Sequence, residues 1–263
     1  MTFAGCSATP AHLADGKASA SAATGAPAPE LHVNVTRDSV SLEGAAKPLF
    51  SVTGNGRDGA DGALKLNGPD DYFITSFGEA LTQARAKGLT GDRLHVVIDP
   101  DVSYRLLLEL LFTAGQMKVT VFDLEEKGVP GRLFRVESSV EVPVASGAAV
   151  DGRLGLALSF TADGVGMATV KGNILPECAQ RPVAFGPRLT FPNVDGAIDL
   201  LALRTCATRA KATRAELEGT SVVTLLASAK DPPTFDAIAR VAVTIHGDDA
   251  HPLFPDIRLA MVP

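Results

Sequence analysis

The same order of predicted secondary-structure elements occurs twice along this chain, and this repetition is the strongest constraint on its fold. Alternating apolar residues over 31–42 predict a β-hairpin, and a helix, a strand, a second helix and a final strand follow within 73–124. A second hairpin, turning at 162–164, precedes the same series of elements up to residue 262. Each half therefore has the order β-β-α-β-α-β, which predicts two duplicated domains and not a solenoid.

The last helix of each half carries matching residues at a constant spacing. Ser103 and Tyr104 have counterparts in Thr234 and Phe235, 131 positions later in both cases. The hydroxyl residue of each pair is a predicted helix N-cap, contributing about 1 kcal/mol. Each helix also has polar residues spaced four apart, which predict one solvated stripe with an i,i+4 ion pair of swapped polarity. These residues are Arg105, Glu109 and Thr113 in the first half and Asp236, Arg240 and Thr244 in the second.

The predicted fold class is therefore α+β, with two tandem two-layer domains. Each domain is expected to have a small sheet with two helices on one face. Residues 1–30 are rich in Ala, Ser, Gly and Pro without an apolar period, which predicts a flexible linker. The domains are predicted at 31–126 and 151–263, and 127–150 is the predicted connecting segment.

The composition narrows the range of functions. The net charge is −6, aromatic residues are few and there is no dense run of Lys and Arg, all of which argues against nucleic acid as a partner. No stretch reaches the roughly 18 apolar residues of a membrane span. No G-x-S-x-G turn or paired-carboxylate constellation stands out, so we predict a non-enzymatic protein without a cofactor.

One cluster in the sequence favours metal chemistry. His246, Asp248, Asp249 and His251 lie together in the segment IHGDDAHP. Imidazoles and carboxylates bind zinc, and a site with an open position would support a metal-dependent hydrolase. The same residue types are also typical of a turn between a helix and a strand. We predict the turn, and the hydrolase is the alternative function.

Two loops contain residues that are easily mistaken for ligand sites. Gly54, Gly56 and Gly59 have the spacing of a dinucleotide-binding turn, but loop-like residues follow where that turn requires a helix, so we predict a flexible, solvated insertion. In the segment Asp99-Pro100-Asp101, Asp101 and its near counterpart Asp231 each stand just before a helix. A carboxylate there interacts favourably with the free N–H groups of the first turn, which predicts a structural role, with ligand binding as the alternative.

Together these elements resemble a known family. The hairpin VNVTRDSVSLEG, the segment DVSY after a strand and the apolar helix LLLELLFTAG are similar to those of the periplasmic domain of the ExbD/TolR biopolymer-transport family. The resemblance covers 31–126 well and 154–262 more loosely, where KDPPTF replaces DPDVSY and GDDAHPLF precedes the last strand. Family members usually carry an N-terminal transmembrane helix with a motor aspartate, and neither is found here. The resemblance therefore implies the periplasmic part of the family's function.

That part is a binding and dimer-forming module of biopolymer transport or envelope maintenance. The implied partners are envelope proteins, peptidoglycan and inner-membrane motor-channel components. Because family domains are generally dimeric, the two tandem copies are expected to pair as a covalent pseudo-dimer. A partner strand is expected to add to the final strand of each half by main-chain hydrogen bonds. The candidate residues on these edges are Lys118, Val119, Val121, Arg258, Ala260 and Val262.

The three cysteines fit the periplasm of a Gram-negative bacterium. The segment Phe-Ala-Gly-Cys-Ser around Cys6 resembles the box before a lipid-modified cysteine, although the usual basic start and apolar core do not precede it. Cys6 is thus a predicted lipid anchor or a plain N-terminal cysteine, and a passive envelope scaffold lipoprotein is a further alternative. In an oxidising compartment Cys178 and Cys206 are expected to form a disulfide, contributing about 3–4 kcal/mol, the alternative being two buried thiols.

Overall fold

The first half of the chain forms six strands and two helices. A computed structural model describes residues 30–88, 91–137, 155–169, 178, 191–194, 197–215, 217, 219–248 and 251–262. The elements of the first half are β1 (Leu31–Val35), β2 (Ser39–Leu42), β3 (Phe50–Ser51), α1 (Thr75–Ala86), β4 (Arg93–Ile98), α2 (Tyr104–Gln116), β5 (Val121–Glu126) and β6 (Leu133–Glu137). Alternation along β1 buries Val33 and Val35, as expected for a strand with one face on a core.

The second half repeats this arrangement with a shorter connection before its first helix. Its elements are β7 (Leu156–Thr161), β8 (Gly164–Thr169), β9 (Phe191–Val194), β10 (Ala197–Ile198), α3 (Leu200–Thr213), β11 (Val222–Ser228), α4 (Phe235–His246), β12 (Gly247–Asp248), β13 (His251–Pro252) and β14 (Asp256–Val262). The helix α3 begins after its N-cap Asp199, whose carboxylate accepts a hydrogen bond from the N–H of Ala202. The helix ends at Thr213.

Strand order is the same in the two halves. Neighbouring strands run β2-β1-β4-β5 in the first half and β8-β7-β11-β14 in the second. In each half the first two strands form an antiparallel hairpin. The next strand, β4 or β11, pairs in parallel with the hairpin's first strand, and the last, β5 or β14, pairs in parallel with β4 or β11. The hairpin turns also match, because the hydroxyls of Thr36 and Thr161 both donate to the carbonyl three residues on, at 3.1 Å. The predicted repeat of β-β-α-β-α-β is therefore present in the chain path.

The two halves share one sheet, and the prediction of two separate small sheets is wrong. The described residues contain a mixed sheet of twelve strands, in which β6 lies between β5 and β14. The strand β6 pairs antiparallel with β5 and parallel with β14, where Val136 lies opposite Ile257. Phe134 and Val136 are buried and alternate with exposed residues, so this part of the predicted connecting segment is a strand. Residues 138–150 of that segment lie outside the described residues.

The four helices of the described chain form one layer on the sheet. The helices α1 and α2 pack on each other, as do α3 and α4, and α2 also contacts α4 across the boundary between the halves. The helix α2 is buried over most of its circumference because the loop 52–74 covers the side that the sheet does not. The architecture is thus a mixed α/β fold with a helical layer on one face. The other face is open at β4, β5 and β6, where Arg93 and Arg135 are exposed, whereas Thr224 of β11 and Ala260 of β14 are buried.

Candidate functional site

The first turns of α2 and α4 meet at the boundary between the halves. The N–H of Tyr104 donates to the carbonyl of Pro233 at 2.9 Å, and the N–H of Phe235 donates to the carbonyl of Val102 at 2.7 Å. Exchanging the halves exchanges these two hydrogen bonds, because donors and acceptors are both 131 positions apart. The boundary, which we call the seam, therefore has approximate two-fold symmetry of the kind found in isologous dimers.

Each helix inserts an aromatic ring into the opposite half at the seam. Tyr104 and Phe235 are both fully buried. The hydroxyl of Tyr104 donates to the carbonyl of Leu225 at 3.0 Å, and burial raises the pKa of this hydroxyl well above 10.0. The ring of Phe235 stacks on Phe134, with centroids 6.1 Å apart. Fully burying a large apolar side chain contributes about 1.5–3 kcal/mol to stability, so these rings stabilise the contact between the halves.

An arginine from the predicted connecting segment adds charge pairing to the seam. The guanidinium of Arg132 donates to Glu126 of β5 at 2.7 Å and also to Asp236 of α4. The hydrogen bond to Glu126, together with that to Asp236, raises the pKa of Arg132 despite partial burial. In the first turn of α2, Arg105 donates to the hydroxyl of Tyr72 at 2.8 Å. The seam is therefore polar at its rims and aromatic at its centre.

The predicted N-caps behave differently in the two halves. The hydroxyl of Ser103 accepts a hydrogen bond from the N–H of Arg105 at 3.1 Å, as predicted. Thr234 stands at the N-cap of α4 but makes no side-chain capping bond. The N–H of Asp236 instead donates to the carbonyl of Pro100 at 2.9 Å. The backbone of the opposite half thus serves as part of the cap of α4.

Among the described contacts, neither aspartate before the helices accepts a hydrogen bond from the first turn of its helix. The carboxylate of Asp101 instead accepts a hydrogen bond from the side-chain amide of Asn55 at 3.3 Å. Asp231 instead pairs with Arg57 at 3.2 Å. Both contacts hold the loop 52–74 against the seam, and the Asp99-Pro100-Asp101 segment contributes through the carbonyl of Pro100. The segment is therefore part of the boundary between the halves.

The polar stripe of α2 is buried, which contradicts the predicted solvated stripe in this half. The carboxylate of Glu109 accepts hydrogen bonds from the ammonium of Lys65, the N–H of Ala60 and the guanidinium of Arg105, each at 2.7 Å. The side chains of Lys65 and Glu109 are both 0% exposed. Charges buried this deeply require pairing, and these three donors supply it. In the second half the corresponding pair is Asp236 and Arg240, which remains partly exposed.

The glycine-rich loop is packed on α2, so the prediction of a flexible, solvated insertion is wrong. Gly59 has φ +83°, and a Cβ added there would lie 2.2 Å from a carboxylate oxygen of Glu109. A Cβ at Gly56 would lie 2.7 Å from the side chain of Leu106. Only glycine permits both the left-handed backbone and this close approach. These glycines therefore serve packing, and a three-residue 3₁₀ turn, Gly62–Leu64, follows them where a dinucleotide site requires the start of an α-helix.

The open face of the sheet carries a network of charged side chains. On this face Asp123 accepts from the guanidinium of Arg135 at 2.8 Å and lies 3.6 Å from that of Arg93. The hydrogen bond to Asp123 raises the pKa of Arg135. On the same face His95 lies 2.8 Å from a carboxylate oxygen of Glu125. The result is a polar surface across β4, β5 and β6 with both charge signs presented to solvent.

The predicted partner-binding edges are not edges. The strand β5 pairs along its length with β4 and β6, so it has no free side. The strand β14 pairs along its length with β11 but meets β6 only where Ile257 lies opposite Val136, and the carbonyl of Ala260 accepts a hydrogen bond from the hydroxyl of Tyr104. Lys118 and Val119 precede β5 in the turn after α2, where Lys118 has φ +64°. The prediction of a free edge is therefore wrong for β5, and β14 lies inside the sheet between β11 and β6. The candidates concerned are Lys118, Val119, Val121, Arg258, Ala260 and Val262.

The predicted turn and metal cluster lie after α4. His246 ends the helix, Gly247 follows with φ +85°, and the backbone then forms a two-stranded ladder in which Asp248 lies opposite His251. Asp249 lies outside the described residues, as do the side chains of Asp248 and His251. Within the part of the chain that the structure describes, no group of three His, Cys, Asp or Glu side chains is arranged to hold a metal ion.

Two of the three cysteines form a disulfide in the structure. Cys178 is bonded to Cys206 of α3, with Cα atoms 5.4 Å apart, and both residues are buried. The Sγ of Cys206 also contacts the Sδ of Met167 on β8 at 3.5 Å. The bridge therefore ties the segment between β8 and β9 to the helical layer. Cys6, the predicted lipid anchor, lies outside the described residues.

The residues that sequence reasoning missed are those whose role depends on contacts with the loop 52–74. Lys65 follows a Gly-rich stretch, and nothing in the local pattern distinguishes it from a solvated lysine. The one available indication was Glu109, an acid within a helix whose neighbours are nearly all leucine. Such an acid in an apolar environment requires a cationic partner, and Lys65 is the partner that the fold provides.

Comparison with family models, with curated proteins and with solved structures found no match to this chain. The helices in the described ranges were also compared with the requirements of a membrane span. None of them combines the length and the apolar character needed to cross a bilayer.

Proposed function

We propose that this chain is a non-catalytic binding and assembly module of the bacterial cell envelope, built as an intrachain pseudo-dimer of two ExbD/TolR-like periplasmic units. The observation that carries this proposal is the repeated strand order, with the two copies joined by reciprocal hydrogen bonds at the seam. Domains of the ExbD/TolR type generally work as dimers, and a seam with approximate two-fold symmetry is what a fused dimer would contain.

The proposed compartment is the periplasm of a Gram-negative bacterium, with Cys6 as the lipid anchor. The disulfide between Cys178 and Cys206 supports this placement, because such bonds persist in oxidising compartments and are rare in the cytosol. The proposed partners are envelope proteins, peptidoglycan or inner-membrane motor-channel components. Because the central strands are already paired, the proposed working surface is the open sheet face with Arg93, Asp123 and Arg135.

The proposal is tested by binding of the full chain to isolated peptidoglycan sacculi and to detergent extracts of inner membranes. We compare the wild type with Arg93→Ala/Arg135→Ala on the open sheet face and with Arg204→Ala/Arg209→Ala on α3. Both double variants remove two positive charges, so a general charge effect is matched. We expect binding by the wild type, its loss in the sheet-face variant and its retention in the helix variant.

Two outcomes would count against the proposal. Absence of binding to both sacculi and membrane extracts would refute an envelope-binding function. Equal binding by all three proteins would refute the sheet face as the working surface and favour a passive scaffold. The pseudo-dimer is tested separately by small-angle scattering, for which one compact particle is expected and two independently tumbling lobes would contradict the seam.

A further inference from the structure

The two halves use one equivalent groove in different ways. The groove lies between the first two turns of the last helix and the turn of the hairpin. In the first half the loop 52–74 fills it, with Gly59 and Ala60 against Glu109. In the second half the groove remains as a cavity of ≈ 180 Å³, lined by Thr161, Asn193, Thr234, Asp236, Ala237 and Arg240 among others.

The two halves differ in the connection that directly precedes their first helix. In the first half residues 52–74 separate β3 from α1, which is enough chain to fold back over α2. In the second half Asp199 alone separates β10 from α3. Position 237 also differs, because it holds alanine where the equivalent position 106 holds leucine. No described residue of the second half therefore takes the place that the loop takes in the first.

The charge at the bottom of the groove is reversed between the halves. Glu109 is met by the ammonium of Lys65 and the N–H of Ala60. Arg240 occupies the equivalent position, 131 residues later, and 36% of its side chain is exposed. It lies 3.8 Å from Asp236, beyond hydrogen-bond length, whereas Asp236 is engaged by Arg132. Arg240 lines the cavity, and a carboxylate is the group that matches the planar fork of its guanidinium.

We propose that this groove binds a peptide segment with an acidic side chain, and that Arg240 receives the carboxylate. The first half shows the mode of binding, in which a glycine-rich segment lies against the helix and places one charged side chain on the helix residue. In the second half the segment that fills the groove belongs to another protein. The side chain that it places on Arg240 is negative, opposite in charge to Lys65. The proposal specifies the partner chemistry of the proposed binding module and rests on that function.

The experiment uses a capped twelve-residue peptide copied from 55–66 of this chain, with Lys65→Glu, and its unchanged lysine counterpart. Isothermal titration with the full chain is expected to show that the glutamate peptide binds at least about tenfold more tightly than the lysine peptide, as one charge-assisted hydrogen bond produces. Arg240→Gln is expected to weaken binding of the glutamate peptide by about tenfold or more. The matched variant Arg209→Gln on the exposed side of α3 is expected to change it less than about twofold.

A second variant tests the shape of the groove independently of its charge. Ala237→Leu restores the residue found at the equivalent position 106 and is expected to prevent binding of the glutamate peptide. Equal affinity for the two peptides, unchanged binding by Arg240→Gln or no heat at millimolar peptide would overturn the proposal. Sacculus or membrane-extract binding that persists when the peptide fails to bind would leave the proposed function standing and remove only this site.

Discussion

Replacing Glu109 by glutamine tests the buried ion network, because an equivalent exposed pair in the same chain serves as its control. Glu109 and Lys65 are 2.7 Å apart with side chains 0% exposed, and Arg105 donates to the same carboxylate. Glu109→Gln leaves the ammonium of Lys65 buried opposite a neutral amide. Removing one partner of a buried pair lowers the free energy of unfolding by about 3–5 kcal/mol.

The control is Arg240→Gln at the equivalent position of α4. Its partner Asp236 is 3.8 Å away and both side chains are 36% exposed, so the loss is expected to stay below about 1 kcal/mol. Urea denaturation followed by far-ultraviolet circular dichroism measures both losses. In a thermal scan the Glu109 variant is expected to melt roughly 6–20 °C below the wild type, at about 2–4 °C per kcal/mol for a chain of this size.

The double variant Lys65→Met/Glu109→Gln separates pairing from packing. If the cost arises from an uncompensated charge, removing both charges is expected to destabilise less than the sum of the single losses. Equal losses for Glu109→Gln and Arg240→Gln would refute the reasoning, because they would show that burial by the loop 52–74 has no energetic consequence.

Three further predictions concern other parts of the fold. Cys206→Ser is expected to lower the free energy of unfolding by about 3–4 kcal/mol, given the sequence separation of 28, and alkylation of both cysteines without reductant would contradict the bridge. Gly59→Ala is expected to destabilise by at least about 2 kcal/mol more than Gly44→Ala, since both have positive φ but a Cβ at 44 has nothing within 4 Å; equal losses in urea denaturation would refute the packing role of the loop. Burial raises the pKa of Tyr72 and of Tyr104 above 10.0, so the folded state retains protons that the unfolded state releases, and stability is expected to fall as the pH rises above about 10. Absorbance at alkaline pH measures this directly because the chain has two tyrosines and no tryptophan, and normal titration of both rings in the folded protein would be the contrary result.

The sequence predicted the elements whose periodicity is local. Alternation of Val33 and Val35 with polar residues indicated β1, and the hydroxyl residues 103 and 234 marked the starts of α2 and α4 correctly. The strand order of the two halves also follows from this repeat. The strand β1 and the two helix starts depend on side chains that are neighbours along the chain.

The parts that sequence reasoning missed depend on contacts between distant segments. The segment Leu133–Glu137 has only five residues of alternation after the stretch Gly-Val-Pro-Gly, which is too little to indicate a strand without its partners β5 and β14. Glu109 lies on a helix face that the sequence shows as polar, and the loop 52–74 excludes solvent from that face. Lys118 was placed at the start of a strand, whereas its left-handed backbone belongs to the end of the preceding helix.

The outermost strands of the sheet have a consequence for behaviour at high concentration. The described sheet ends in β10 on one side and β3 on the other, and each is two residues long. A terminal strand this short exposes too few unpaired main-chain groups to template the strand of a neighbouring molecule. A sheet twelve strands wide would otherwise be a ready nucleus for fibrils. The short strands β10 and β3 therefore disfavour edge-to-edge pairing of the described sheet with neighbouring molecules.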